Sequence, residues 1–251
     1  MNLAASLAVS LAVSLTLSAQ AAELLVGSVD WAPFQMHEAG KPDQPPVGIV
    51  PSMLAAISER SGIAIEYRPD PMKRMLLDFR EQRITLDPMS NPLWRQEDAA
   101  ISVYSLPYLQ TQDVVLMPAG MAKKARSVND FRGKILGCEL GFAYADGFDE
   151  AFARGTVLRQ DVASGAQANL QRLNAGRVDG IIINEVVAEY WMHQLKLDPD
   201  AFRVAYRFSG YDQLYLRLHA SQKDLLPAID QAITGLKREG RIQQWLNQYT
   251  H

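Results

Sequence analysis

Two stretches of this chain follow one pattern: an amphipathic helix, a polar turn, a short apolar strand, and a polar exit with a helix behind it. One runs from Pro71 to Arg95 and the other from Ala166 to Trp191. Each such unit has an apolar stripe or face that must be covered, so the chain has to lay helices on sheets. Two occurrences suit two similar α/β lobes and not a solenoid, which needs roughly three or more repeats.

The remaining periodicities fill in this plan. Glu23–Ser28 reads as a strand. Val50, Met53, Leu54 and Ile57 lie at helical spacing within 49–61, and Gly62 is a stop signal. Strands are expected at 63–67, 84–86, 114–117, 135–140, 156–159, 178–183, 202–206 and 213–217. Helices are expected after Pro71 and over 149–154, 163–175, 186–195 and 225–237. Alternation of this kind predicts mostly parallel sheets, with ligands held beyond the carboxyl ends of the strands. Trp31 and the stretch Asp87–Arg95 both follow strands and can meet at one such edge.

Residues 1–22 are of another composition. Leu3 to Leu17 holds only Leu, Ala, Val, Ser and Thr, and Ala19-Gln-Ala21 is a small-residue cleavage pattern. This reads as a secretory signal peptide, residues 1–21, and sends the mature chain to the periplasm. No later segment is apolar over the ~20 residues a membrane span needs. Cys138 is the only cysteine, so no disulfide forms within the chain and its core must hold it together. A net charge of −3 gives no footprint for nucleic acid. The four histidines, 37, 193, 219 and 251, have no metal-ligand spacing. No nucleophile elbow or phosphate loop is present, and no cofactor is expected.

The stretch Asp87-Pro-Met-Ser-Asn-Pro-Leu-Trp-Arg95 concentrates chemistry. Asn91 can cap a helical turn with Pro92 at its first position. Backbone N–H groups left at such a turn can hold an anion, and Arg95 adds a planar fork of donors. On its own the stretch reads as a surface turn, with Arg95 paired to Glu97 or Asp98.

The order of landmarks changes that reading. Ala32-Pro-Phe34 follows the first strand, and Tyr104-Ser-Leu-Pro-Tyr108 follows the Arg95 turn. Phe131-Arg-Gly-Lys134 precedes the strand that ends at Gly141. Gly176-Arg-Val-Asp179 precedes Ile181-Ile-Ile-Asn184, and Gly235-Leu-Lys-Arg-Glu-Gly240 comes near the end. In this order the chain resembles the family-3 extracellular solute-binding proteins, the polar amino-acid-binding type. The resemblance implies a type II periplasmic binding-protein fold: two α/β lobes with a central cleft, joined by two crossing strands near 111–114 and 210–213. Lobe one would be 23–112 with 213–251, and lobe two 113–212.

It also implies site residues. Arg95 matches the arginine that takes a ligand carboxylate, Ser90 a hydrogen-bonding position, and Trp31 an aromatic lining residue. Phe142, Ala143 and Tyr144 match contacts from lobe two. Asn184 stands where an aspartate usually takes the ligand ammonium, and Asp87-Pro88 stand where small neutral donors are usual. Arg74, Asp87 and Glu139 are secondary candidates. The expected partners are a small polar or carboxylate-bearing solute and an inner-membrane ABC permease or a sensor receptor, with the binding protein itself a monomer. Two alternatives stay open: a dehydratase-like enzyme on this fold with Glu139 as proton donor, and a receptor-docking protein with no transport role. Structural roles compete at each position. Asn184 is also a natural N-cap, Asp179 a turn stabiliser, Arg74 a solvated helix residue, and Met72, Met75 and Met89 core residues.

Overall fold

Strand β1 (Glu23–Ser28) opens the fold, followed by helix α1 (Ile49–Ser61), β2 (Ala64–Pro69), α2 (Met72–Arg80) and β3 (Leu86–Ser90). The computed structural model describes residues 22–250 except 39–43, 70, 122, 143, 163–164 and 210–211. The expected signal peptide and Ala143 therefore lie outside the described residues. Helix α1 buries Val50, Met53, Leu54 and Ile57 as its spacing predicts, and stops at Gly62, whose φ of 73° favours glycine. Then come β4 (Ser102–Tyr104), β5 (Leu109–Thr111), β6 (Asp113–Pro118) and β7 (Ile135–Glu139). Helix α3 (Phe148–Ala153), β8 (Leu158–Val162), α4 (Gly165–Asn174), β9 (Gly180–Asn184) and α5 (Glu185–Gln194) follow. Strands β10 (Phe202–Arg207) and β11 (Asp212–His219) and helices α6 (Leu226–Arg238) and α7 (Arg241–Thr250) complete the chain.

The strands form two sheets. One has the order β2-β1-β3-β11-β4, with β5 also on β11; the other has the order β10-β6-β9-β7-β8. The expectation of mostly parallel sheets needs correction. The β1–β2, β1–β3, β7–β8 and β7–β9 pairs are parallel, but β11 and β6 run antiparallel to all their neighbours. The reason is topological. Each of these strands enters its sheet directly after the chain crosses from the other sheet, so no crossover helix sets its direction.

The two crossings lie side by side. Thr111 at the end of β5 pairs with Asp212 at the start of β11. Between them, Gln112 accepts from the Glu185 N–H at 2.9 Å through its carbonyl and donates through Nε2 to the Phe208 carbonyl at 3.0 Å. Near this crossing side, α5 packs on α7, with Tyr190 and Tyr249 ring centroids 6.4 Å apart. The largest apolar cluster is continuous here, from Leu24, Ile57 and Leu236 through Trp245 to Val187 and Ile183. A second cluster around Phe131, Phe148 and Phe208 fills the other face of the second sheet.

The stretch after Leu86 also departs from expectation. The chain does not leave the sheet at Asp87. Strand β3 continues to Ser90, and every residue in it is buried. Strand β11 runs alongside, with Arg217 opposite Asp87 and Tyr215 opposite Ser90, and the ladder slips between those two pairs. Pro88, which has no N–H to donate, falls within the slip, where a proline is tolerated. Its carbonyl accepts from the Tyr108 hydroxyl at 2.9 Å. The Asn91 cap forms as expected, with its side chain accepting from the Leu93 N–H at 2.9 Å. What it caps is a single turn, Pro92–Trp94, too short for the summed dipole that makes a helix N-terminus an anion site.

Candidate functional site

Arg95 follows the capped turn directly, so the Asn91–Pro92 geometry fixes where its side chain starts. Its side chain is only 14% exposed. Its Nη1 donates to the Trp94 carbonyl at 3.1 Å, and Nη2 lies 3.8 Å from the Met72 sulfur. The anticipated pairing with Glu97 or Asp98 does not form. Those carboxylates serve Arg80, at 3.6 and 2.7 Å, and Asp98 also takes Arg217 at 2.8 Å. Arg95 instead stands beside Asp87, with Nε 3.7 Å from Oδ2.

Beneath Arg95 lies a polar cluster that the sequence did not reveal. Arg217 is fully buried on β11, its Nε donates to the Ser102 hydroxyl at 2.9 Å, and its guanidinium lies 3.9 Å from the Phe79 ring centre. Burial alone would raise the Asp98 carboxyl, but hydrogen bonds from Arg80 and Arg217 outweigh it and hold Asp98 below the usual carboxylate range. Ser90, 0% exposed, has no hydrogen-bond partner for its hydroxyl, and neither does Tyr104, which faces Arg217 in the register. The one available signal for Arg217 misleads. Strand alternation sets it opposite Leu214, Leu216 and Leu218 and so predicts solvent, but Phe79 covers that face.

Trp31 heads a tight turn, its N–H bonded to the Gln35 carbonyl at 2.9 Å. Its half-buried ring leans on fully buried Phe34, with centroids 4.7 Å apart. This suits a fixed aromatic wall. Arg74 is 56% exposed and pairs with Asp78 at 3.0 Å along α2. Met75 and Met89 are core, while Met72 is exposed beside Arg95.

In the second sheet, Glu139, Asn184 and Asp113 lie together: Glu139 and Asn184 end β7 and β9, and Asp113 pairs with Asn184. Asn184 caps α5, its Oδ1 accepting from the Val186 N–H at 3.1 Å and the Val187 N–H at 3.5 Å. The other half of the amide donates to the Thr111 hydroxyl and, at 3.4 Å, to Asp113 Oδ1. Its hydrogen-bonding capacity is therefore spent on the helix and the crossing strands. Glu185 pairs through both oxygens with Arg207, at 2.6 and 2.7 Å.

Glu139 is half-buried, and burial together with the charge of Asp113 pushes its carboxyl above the usual range. Gly141 takes φ 85° in the turn behind it, and Phe142 stands 48% exposed on that turn. Tyr144 lies elsewhere. Its ring is 6% exposed in the Phe131–Phe148 cluster, and its hydroxyl accepts from the Glu139 N–H at 3.0 Å. It buttresses the strand end from behind. Asp179 stabilises its turn, accepting from the Ile135 N–H at 2.8 Å. Burial pushes the Cys138 thiol up to about 12, so it is inert at neutral pH. Among the described residues, no group of His, Cys, Asp and Glu could hold a metal ion.

Arg95 can hold a small anionic group, Trp31 offers a fixed aromatic surface after β1, and Glu139 and Asp113 are carboxylates on the second sheet. Comparisons with known proteins bear on the fold and the family. The chain is 23% identical over 190 residues to the L-cystine-binding protein TcyJ of Escherichia coli K12, covering 74% of this chain and 68% of that one. The unliganded, open L-cystine solute receptor of Neisseria gonorrhoeae superposes with a TM-score of 0.68 at 18% identity, covering 92% of this chain and 93% of that one. An ancestral arginine-binding protein bound to arginine gives a TM-score of 0.69 at 18% identity, covering 91% and 98%. Residues 24–251 match the family described as bacterial extracellular solute-binding proteins, family 3, and the chain belongs to that family.

Proposed function

We propose that this protein is exported to the periplasm, closes its two lobes on an amino-acid-like solute, and delivers it to an ABC-type permease. The lobes are residues 23–112 with 213–251, and 113–212. The observation that carries the reading is Arg95, a mostly buried guanidinium fixed after the capped turn that follows β3, with no carboxylate in hydrogen-bond contact. Such a group recognises a carboxylate with charge and direction together. Ser90 and Trp31 flank it from the first lobe. Glu139 and Phe142 approach from the second, Ala143 being a further proposed ligand contact, with Asn184 and Tyr144 holding that jaw in shape. Relatives named for cystine and arginine point to amino acids as the solute class. The raised Glu139 carboxyl follows from its burial and from Asp113, and membership of a binding family assigns it no turnover.

The test is a thermal-shift screen with L-cystine, L-arginine, L-glutamine, dicarboxylates and polyamines. A ligand that binds only the native state raises its apparent stability. At a hundredfold excess over Kd, the stabilisation is about 2.7 kcal/mol. An amino acid is expected to raise Tm in the wild type and to do nothing in Arg95→Ala. Equal stabilisation of both proteins removes Arg95 from the site.

A further inference from the structure

Asp87 is out of place beside a carboxylate-binding arginine. It is 2% exposed, and its Oδ2 lies 3.7 Å from Arg95 Nε and 3.5 Å from Nη1 of fully buried Arg217. Neither contact is a hydrogen bond. Asp87 Oδ2, Arg95 Nε and Arg217 Nη1 are ion-paired but all sealed from solvent without a hydrogen-bond partner. Buried polar atoms left in this state are rare and mark a place where a further polar atom belongs. Arg217 cannot turn away, because its Nε and Nη2 are fixed on Ser102 and Asp98. Asp98 is committed to Arg80 and Arg217, so Asp87 is the carboxylate that faces Arg95. The sealed groups Arg95, Arg217, Asp87 and Asp98 balance in charge. The site thus offers the direction of an arginine fork with little net positive field.

We propose, on the reading that Arg95 receives the ligand carboxylate, that Asp87 is the specificity-determining residue of the site. It accepts a ligand with one carboxylate and rejects one with two, so the solute is a neutral or basic amino acid and not a dicarboxylic one. One ligand carboxylate on the outer edge of Arg95 gains the fork and the nearby Arg217 charge. Like charges about 5 Å apart in a poorly hydrated pocket repel strongly. A second carboxylate therefore meets Asp87 with no spare cation to offset it. Specificity through a repulsive element of this kind is a general device.

Asp87→Asn keeps the shape and removes the charge. Calorimetric titration compares L-glutamine with L-glutamate, which differ in one carboxylate. In parallel, inorganic sulfate is titrated while the Arg95 Nε–H signal is followed by NMR, assigned by its loss in Arg95→Lys. In the wild type, L-glutamine is expected to bind at least tenfold more tightly than L-glutamate. In Asp87→Asn that ratio is expected to fall at least tenfold, and sulfate to bind at least tenfold more tightly than in the wild type. An unchanged ratio with unchanged sulfate affinity overturns the proposal. If neither amino acid binds either protein, sulfate alone decides: tighter binding upholds the role of Asp87, and equal binding ends it; the amino-acid reading itself fails only if no amino acid raises Tm in the thermal-shift screen. Should Asp87→Asn not fold, Asp87→Ser, which also removes the charge and leaves Arg217 on Asp98, is read in the same way.

Discussion

At the scale of single residues, the site rests on charges buried under it. Arg217 is 0% exposed and bonded to Asp98 at 2.8 Å. Removing one partner of such a pair leaves the other uncompensated, which typically costs about 3–5 kcal/mol. Arg217→Met is expected to lose stability in that range by urea denaturation. Asp98 adds a pH dependence. Its carboxyl is held below its unfolded value near 4, so its stabilisation is complete above that value. It disappears as pH falls through the folded value, and Asp98→Asn should flatten that acid limb of the Tm profile. Glu139 has the opposite sign. Its folded carboxyl is raised, so ionising it opposes folding as pH rises through the folded value. Glu139→Gln is therefore expected to raise Tm at pH 7 and leave it unchanged near pH 3, where both forms are neutral. An equal Tm change at both pH values would contradict the burial argument.

At the scale of elements, Asn184 shows how one side chain serves two structures. It caps α5 and ties the end of β9 to Thr111 at the crossing. Asn184→Ala should cost about 1–3 kcal/mol, a lost cap plus a lost buried hydrogen bond, measured by denaturant unfolding. This dual role explains what the sequence revealed. Asn184 was legible as a cap because its spacing to Val186 is local. Its bond to Thr111 joins residues 73 positions apart and was not legible. The helices α1 and α6 could be read from their apolar stripes, and so could the Asn91–Pro92 turn. Strand β3 was misjudged because a proline argues against a strand, and only the slip in the β11 ladder accommodates Pro88. The antiparallel course of β6 and β11 was hidden for the same kind of reason: apolar runs carry no direction. Tyr144 was read as a ligand contact from its place after Gly141. Its ring is drawn into the core by Phe131, Phe148 and Phe152, with which it shares an apolar cluster.

At the scale of the whole molecule, two sheets are joined by two adjacent crossings, the natural place for the proposed hinge. Thr111, Gln112, Phe208 and Asp212 are the positions through which the lobes connect. Solute captured between lobes should close them, a hinge motion with few moving residues. Small-angle X-ray scattering should therefore show a smaller radius of gyration when a stabilising amino acid is added, and no change for Arg95→Ala. The landmarks that carry the family resemblance are spread from Ala32 to Gly240, and the family match spans 24–251. For that reason the architecture was legible while the chemistry of the Arg95 pocket was not. The pocket depends on Asp87, Tyr104 and Arg217 meeting from three strands, and no local pattern announces that. The most direct test is calorimetric titration of one amino acid from the thermal-shift screen into wild type and Arg95→Lys. Arg95→Lys keeps the charge and removes the planar fork. The account predicts one site per chain in the wild type and a loss of at least tenfold in affinity in Arg95→Lys. Undiminished affinity in that variant would contradict it.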